Sequence, residues 1–225
     1  QNYKTKTLLI ACAAAGSMAA IFKAPVAAII FAVEVIMIDL TTASLVPLLL
    51  ASLSAFITSF LLLGDHQLLR FQSAEPFMLS HVHHYVLLGV ICGLASVYFN
   101  KIYLFITSKF QKLVKPWTRV LIGGFMLGVI VLVFPPLYGE GYDVINSLLA
   151  DDLESVTHDS IFHSHTSSIW WMFVFLIGLA VLKAIATGIT LGSGGVGGIF
   201  APTLFMGSTI GFLYTRVYKY FEFTT

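Results

Sequence analysis

From Ala184 to Thr215 the chain carries no charged side chain, and Thr41–Gly64 and Val120–Gly139 are uncharged as well. A helix of roughly 20 apolar residues crosses the hydrocarbon core of a bilayer, and each of these stretches is long enough. Soluble domains carry about 25% charged residues; here 10% are charged and 58% hydrophobic, with a mean hydropathy of +0.91. So little charge cannot coat a chain in water, so the surface must face lipid. The formal net charge is +1 and no basic patch with interleaved aromatics occurs, so no nucleic-acid partner is expected. Cys12 and Cys92 each lie in an apolar run and read as small buried hydrophobes. No CxxC pair or disulfide framework is present.

The expected fold is all-α, a multi-pass membrane protein with broken helices. Thr7–Phe22 and Val26–Leu40 read as two packed half-length helices broken at Pro25. Ala13, Ala14, Ala15, Gly16, Ala19 and Ala20 supply the small side chains that let membrane helices approach closely. Ala43–Leu63 reads as a full span, Tyr85–Phe110 as a long helix, and Trp117–Phe134 as another, closed by Pro135-Pro136. The polar, acidic segment Gly139–Ser168 leaves room for one short helix at Tyr142–Leu149. Ile169–Thr190 returns through the membrane, a glycine-rich loop follows, and Pro202–Tyr220 is the last helix. Residues 1–225 thus form part of one transmembrane domain with no soluble domain. The chain begins with Gln and is apolar by Thr7, which is expected of an excerpt of a longer protein.

Lys109, Lys112, Lys115 and Arg119 share one connection, and Lys4 and Lys6 precede the first helix. Counting spans puts both clusters on one side, which the positive-inside rule makes cytoplasmic. The connections Gly64–His84 and Gly139–Ser168 then lie outside.

The loop reads Gly192-Ser193-Gly194-Gly195-Val196-Gly197-Gly198-Ile199-Phe200-Ala201-Pro202. So much glycine cannot hold a lipid-facing helix, and non-helical backbone at membrane depth survives only when buried in protein or lining a cavity. Proline suits the first helical position, because the N–H it lacks has no partner there. With Pro202 starting a helix, the N–H groups of Ile199, Phe200 and Ala201 stand ahead of the first intrahelical bond, at the positive end of the macrodipole. Such amides make an anion site. No lysine lies nearby to hold the ion tightly, and conduction needs sites weak enough to leave. A glycine run that serves only helix packing is the plain alternative. Gly192-x-Gly194-x-x-Gly197 also fits the dinucleotide fingerprint formally, but no strand precedes it and no acidic residue follows at the needed distance.

Three motifs, in order, resemble those of the CLC chloride channels and transporters. Gly198-Ile199-Phe200-Ala201-Pro202 is similar to the family's GxFxP selectivity signature. Ala14–Glu34 resembles its AAGxAAxFxAPxxGxxFxxE stretch, and Gly139-Glu140-Gly141-Tyr142 fits its GxGY segment before a short helix. The resemblance implies a partial CLC-type inverted-repeat architecture and voltage-gated, channel-like chloride transport in a plasma (for a bacterium, inner) membrane. It implies a homodimer with one pore per subunit, joined in part through helices 7–22 and 26–40. Chloride would be the transported ligand, with no cofactor. Ile199 and Phe200 would give their N–H groups to the central anion, flanked by Gly198 and Ala201. The family's serine-bearing loop and gating-glutamate loop find no counterpart in these residues, nor does its pore tyrosine.

Many exchangers of the family carry a second glutamate directly after that of FxxE. Here the pair is Glu34-Val35, and valine carries no proton, so the inner relay position is lost and a channel is favoured over a proton-coupled antiporter. Glu34 is an ionisable residue near a helix end, either functional or a structural acceptor. Lys183, the only charge between Ser160 and Thr215, either raises the potential along an anion path or pairs with an acid in the core. His66, His81, His83, His84, His158, His163 and His165 all fall in outer connections; HVHH and HSH have metal-like spacing, but no metal site is expected. No enzyme is expected either: HExxH is absent, and Ser193 has no histidine in its adjoining apolar segments. A non-conducting structural subunit is the remaining rival, and it leaves the amides before Pro202 unexplained.

Overall fold

A computed structural model of the chain describes residues 3–36, 41–64, 68–69, 79–158, 160 and 169–222. Among them there is no strand. Nine α-helices run in the order α1 Tyr3–Phe22, α2 Pro25–Ile36, α3 Thr42–Leu63, α4 Val82–Gln111, α5 Pro116–Val133, α6 Tyr142–Leu149, α7 Leu153–Thr157, α8 Ile169–Gly192 and α9 Phe200–Glu222. Single 3-10 turns at Leu79–His81 and Pro135–Leu137 precede α4 and follow α5. Within the described residues five helices are long and apolar enough to cross a membrane, namely α1, α3, α4, α5 and α8. The expected continuation of α2 to Leu40 lies outside the described residues. The chain divides into two compact units, Gln1–Arg70 and Phe71–Thr225.

In the first unit the break falls where Pro25 predicts it. Lys23 takes the left-handed conformation, φ 55°, and stops α1; Pro25 then opens α2, where its missing N–H costs nothing. The expectation that both halves are short is corrected for α1. It extends through the turn carrying Lys4 and Lys6 to reach 20 residues, a full span, while α2 keeps only 12. Ala11, Ala15, Gly16 and Ala19 are buried, and a Cβ on Gly16 would sit 3.5 Å from the Ala55 Cβ. Small residues therefore do bring α1 against α3. Paired positions rise together along the two helices (Ala11 with Leu48, Gly16 with Ala51 and Ala55, Ala20 with Ser59), so α1 and α3 run parallel. The return is made by α2. Backbone groups freed at a helix break in lipid need partners, and serines supply them. The Ser59 hydroxyl donates to Ala20 O at 2.9 Å and accepts from the Lys23 ammonium at 2.7 Å. The Ser52 hydroxyl donates to Pro25 O at 2.9 Å.

The second unit is built around α8. Phe175, Leu176, Leu179, Ala184 and Ile189 on this helix are buried, while the equally apolar Val174, Ile177 and Val181 are exposed, as expected of a helix with one face in the bundle and another toward lipid. Parallel to it runs α4: the Tyr98 hydroxyl donates to Val181 O at 3.2 Å, and Ile106 and Phe110 fill the space beside Gly188 and Gly192. Antiparallel to it run α5, with Phe134 stacked on Phe175 at 5.7 Å, and α9, whose Met206 joins Phe99, Ala180 and Ala184 in one cluster. This order puts the α8–α9 connection beside the last turn of α4 and the start of the Lys109–Arg119 segment. It puts the end of α9 beside the start of α4, where the Tyr214 hydroxyl lies 2.7 Å from the His84 Nδ1.

Gly139 and Gly141 both adopt positive φ, 65° and 87°, and turn the chain into α6, whose bounds match the sequence expectation. Gly141 is also a notch, since a Cβ there would meet the Phe205 ring at 2.4 Å. The short α7 was not anticipated. Its signal is Asp152, which caps the helix by accepting from Ser155 N at 3.1 Å. Arg216 near the end of α9 pairs with Asp151 at the turn between α6 and α7.

Candidate functional site

The glycine loop begins as a helix stop. The Gly195 N–H reaches back to Thr190 O at 2.9 Å and the Gly194 N–H to Leu191 O at 3.3 Å, the paired bonds of a Schellman ending. That ending needs a left-handed residue, and Gly194 supplies it with φ 102°. Gly195 is needed for room, because a Cβ there would lie 2.8 Å from Thr190 O. Gly198 meets neither demand: nothing stands within 4 Å of a Cβ built on it. Its bareness instead leaves the backbone open to close approach.

Helix α9 begins at Phe200, two residues before the expected start at Pro202. The first intrahelical bond is Thr203 N–H to Ile199 O at 3.1 Å, which makes Ile199 the cap and Pro202 the third residue. Proline is tolerated there for the same reason as at the first position, since no N–H in that turn has an acceptor within the helix. The cap itself matters. Helix starts favour Ser, Thr, Asp or Asn, whose side-chain oxygen takes up a first-turn amide, and Ile199 has no such oxygen. The Ile199, Phe200 and Ala201 amides therefore stand ahead of the first bond with a hydrocarbon at the cap. Gly194 through Ile199 are exposed and Phe200, Ala201 and Pro202 half-buried, so this helix start is open on one side.

The loop is held from the bundle side. A Cβ on Gly192 would lie 3.1 Å from Phe110, and one on Gly123 of α5 would lie 2.4 Å from the Ser193 Cβ. Ser193 donates to Thr190 O at 3.0 Å, a bond within the ending of α8.

Lys183 is buried in α8 at 3% exposure. The acid that acts on it is Glu140, and only through space. Among the described residues no carboxylate lies within ion-pair distance. The ammonium donates to Gly139 O at 3.0 Å and to Leu137 O at 3.4 Å, and lies 4.5 Å from the centre of the Phe205 ring. Sequence reasoning missed these partners because two are backbone carbonyls, which carry no residue signature.

Glu34 and Val35 lie in the last turn of α2, both exposed. They belong to the first unit, and the loop to the second. Of the histidines, His66, His163 and His165 lie outside the described residues. The His83 and His84 rings lie 3.9 Å apart, tilted by 42°, and the His84 ring lies edge-on to Tyr218 at 4.5 Å. Among the described residues no group of three His, Cys, Asp or Glu side chains is placed to hold a metal ion.

Long apolar helices, helix breaks sealed by serine and glycine, and a helix start with an aliphatic cap in an uncharged stretch define an integral, multi-pass membrane protein. The chain belongs to the Voltage gated chloride channel family, CLC, whose profile matches residues 1–224. It is 32% identical over 219 residues to the Voltage-gated ClC-type chloride channel ClcB of Citrobacter koseri, covering 95% of this chain and 47% of that protein. It is 29% identical to a Putative chloride channel protein ClcB-like of Ralstonia nicotianae, over 92% of this chain and 44% of the relative. With ClcB of Salmonella typhimurium it shares 29% identity, over 95% of this chain and 47% of the relative. The chain spans about half the length of the curated relatives it matches. No solved structure gave a significant match.

The loop's seat yields a prediction. Gly123→Ala drives a methyl into Ser193, 2.4 Å away, and overpacking of this kind costs about 1–3 kcal/mol. Unfolding of the full-length protein in detergent should show that loss. Adding Ser193→Gly should recover most of it, and a pair of substitutions that simply add would disprove the contact.

Proposed function

We propose that the full-length protein passes small anions, chloride first among them, across the membrane along a path that includes the loop before α9. The anion is held by the backbone amides of Ile199 and Phe200, flanked by Gly198 and Ala201. The observation that carries this reading is the helix start at Phe200, with an aliphatic cap and an exposed glycine approach, at the position of the family's GxFxP signature. The relatives' names, voltage-gated chloride channels, agree with it.

The physics favours transport over storage. Amides at a helix start carry partial positive charge without a mobile proton or a full cation. They replace part of the anion's hydration shell yet bind weakly enough to release it. Glycine at 197 and 198 lets the ion reach the backbone, where a side chain would hold it off. A structural subunit has no use for this arrangement.

The mode of transport we infer from Val35 is passive, since a valine cannot relay protons at the position after Glu34. Assembly we infer to be a homodimer, joined in part through helices 7–22 and 26–40, in a plasma or bacterial inner membrane. The faces of α1 and α2 not packed against α3 support this, for Leu9, Ile10, Ile21, Val26 and Ile30 are exposed.

Two measurements test the reading. Crystals of the full-length protein soaked in bromide should give anomalous density beside the Ile199 and Phe200 amides; density elsewhere and none at this helix start would refute the site. In liposomes with a chloride gradient, the reversal potential should follow chloride and ignore an imposed pH difference. A shift with pH would overturn the passive mode while leaving the anion site standing.

A further inference from the structure

We infer that Lys183 is the fixed positive charge that sets anion occupancy at the start of α9, acting at a distance and never touching the ion. This inference rests on the anion site proposed above and extends it to a residue the GxFxP motif does not contain.

A lysine inside a membrane protein is expensive, and the ordinary remedy is a carboxylate partner. Among the described residues none lies within ion-pair distance of Lys183, and Glu140 acts on it only at longer range. Its ammonium is satisfied by neutral groups, the Gly139 and Leu137 carbonyls at 3.0 and 3.4 Å and the Phe205 ring at 4.5 Å. Carbonyls and a π face stabilise a cation without neutralising it, and Glu140, next to Gly139, offsets its charge only through space. The field of that charge reaches whatever lies nearby in the low-dielectric core.

The nearest feature with a use for positive potential is the start of α9. Phe205 follows Phe200 by five residues, about 8 Å along the helix axis at the usual rise. Lys183 precedes Gly192 by nine residues, about 14 Å along α8. Along α9 the ammonium thus lies roughly one and a half helix turns from the anion amides, and along α8 roughly two and a half turns from the start of the loop. Two unit charges about 10 Å apart in a medium of effective dielectric near 20 change binding by roughly tenfold. The same contacts lock the ammonium in place. The Gly141 notch admits the Phe205 ring, and the positive φ of Gly139 and Gly141 turns the two carbonyls toward α8. A charge too far to trap the ion, yet fixed in position, raises occupancy without slowing release.

The rival role is a clamp alone, in which the ammonium matters only as a hydrogen-bond donor. The test separates the two. In the purified full-length protein, chloride and bromide affinities are measured by calorimetry for the wild type, Lys183→Arg, Lys183→Gln and Lys183→Met, with thermal unfolding followed alongside. Lys183→Gln keeps a donor for the carbonyls and loses the charge. The expected result is a fall of roughly tenfold in affinity for both neutral variants and near wild-type affinity for Lys183→Arg. Wild-type affinity in a folded Lys183→Gln would overturn the inference. If the neutral variants do not fold, Thr187→Glu keeps Lys183 and sets a carboxylate one turn along α8 to neutralise it. The same fall is expected there, and an unchanged affinity in that folded variant would equally overturn it. A wild type that binds neither anion would instead bring down the anion site itself.

Discussion

The second unit depends on where one long apolar helix ends. An apolar helix of 24 residues, α8, stops at Gly192 because Gly194 can take φ 102° and close the Schellman bonds to Thr190 and Leu191. A residue with a Cβ would be strained at that angle, and α8 would have no such stop. Everything proposed for the site follows from this stop. The chain reverses, α9 returns antiparallel against α8, and its first amides are left facing an open glycine approach. With Ile199 at the cap, no side-chain oxygen takes up the Ala201 amide, the one a cap serine or aspartate would engage.

The first unit solves the same problem by other means. There the break is made by Lys23 at positive φ and Pro25, and Ser59 carries the hydrogen bonds that seal it to α3. In both units, breaks in apolar helices coincide with left-handed residues, and the serines at the first break each meet a carbonyl or ammonium. Such placement is what a solvent without hydrogen bonds demands. It also explains why so few charges suffice. Lys183 is held by two carbonyls and a ring, and Arg216 and Asp151 meet at the exposed edge between α6 and α9.

Much of this was legible in the chain. Apolar length gave α3, α4, α5 and α8 to within a few residues, and the GxGY turn gave α6 without error. Pro25 marked its break. The misses have physical reasons. Proline fits any place in a first turn, so Pro202 could not say whether α9 began there or at Phe200. Apolar period does not reveal that a turn bearing Lys4 and Lys6 still winds as helix, which hid the full length of α1. The cap of α7 rests on a single Asp152–Ser155 bond, too small a signal in a polar segment. Lys183 was recognised as a buried cation, but its partners are main-chain carbonyls that any sequence could supply. The amides proposed to hold the anion are backbone, and only their setting, glycine before and proline after, points to them.

The backbone amide is the heart of the matter, and it can be removed by itself. Incorporating the α-hydroxy analogue of phenylalanine at position 200 replaces that one N–H with an ester oxygen and leaves every side chain intact. Chloride affinity of the full-length protein, measured by calorimetry, should then fall by about tenfold, as expected for losing one hydrogen bond to a charged partner. An ester-bearing protein that folds and binds chloride as tightly as the wild type would contradict an anion held by the start of α9.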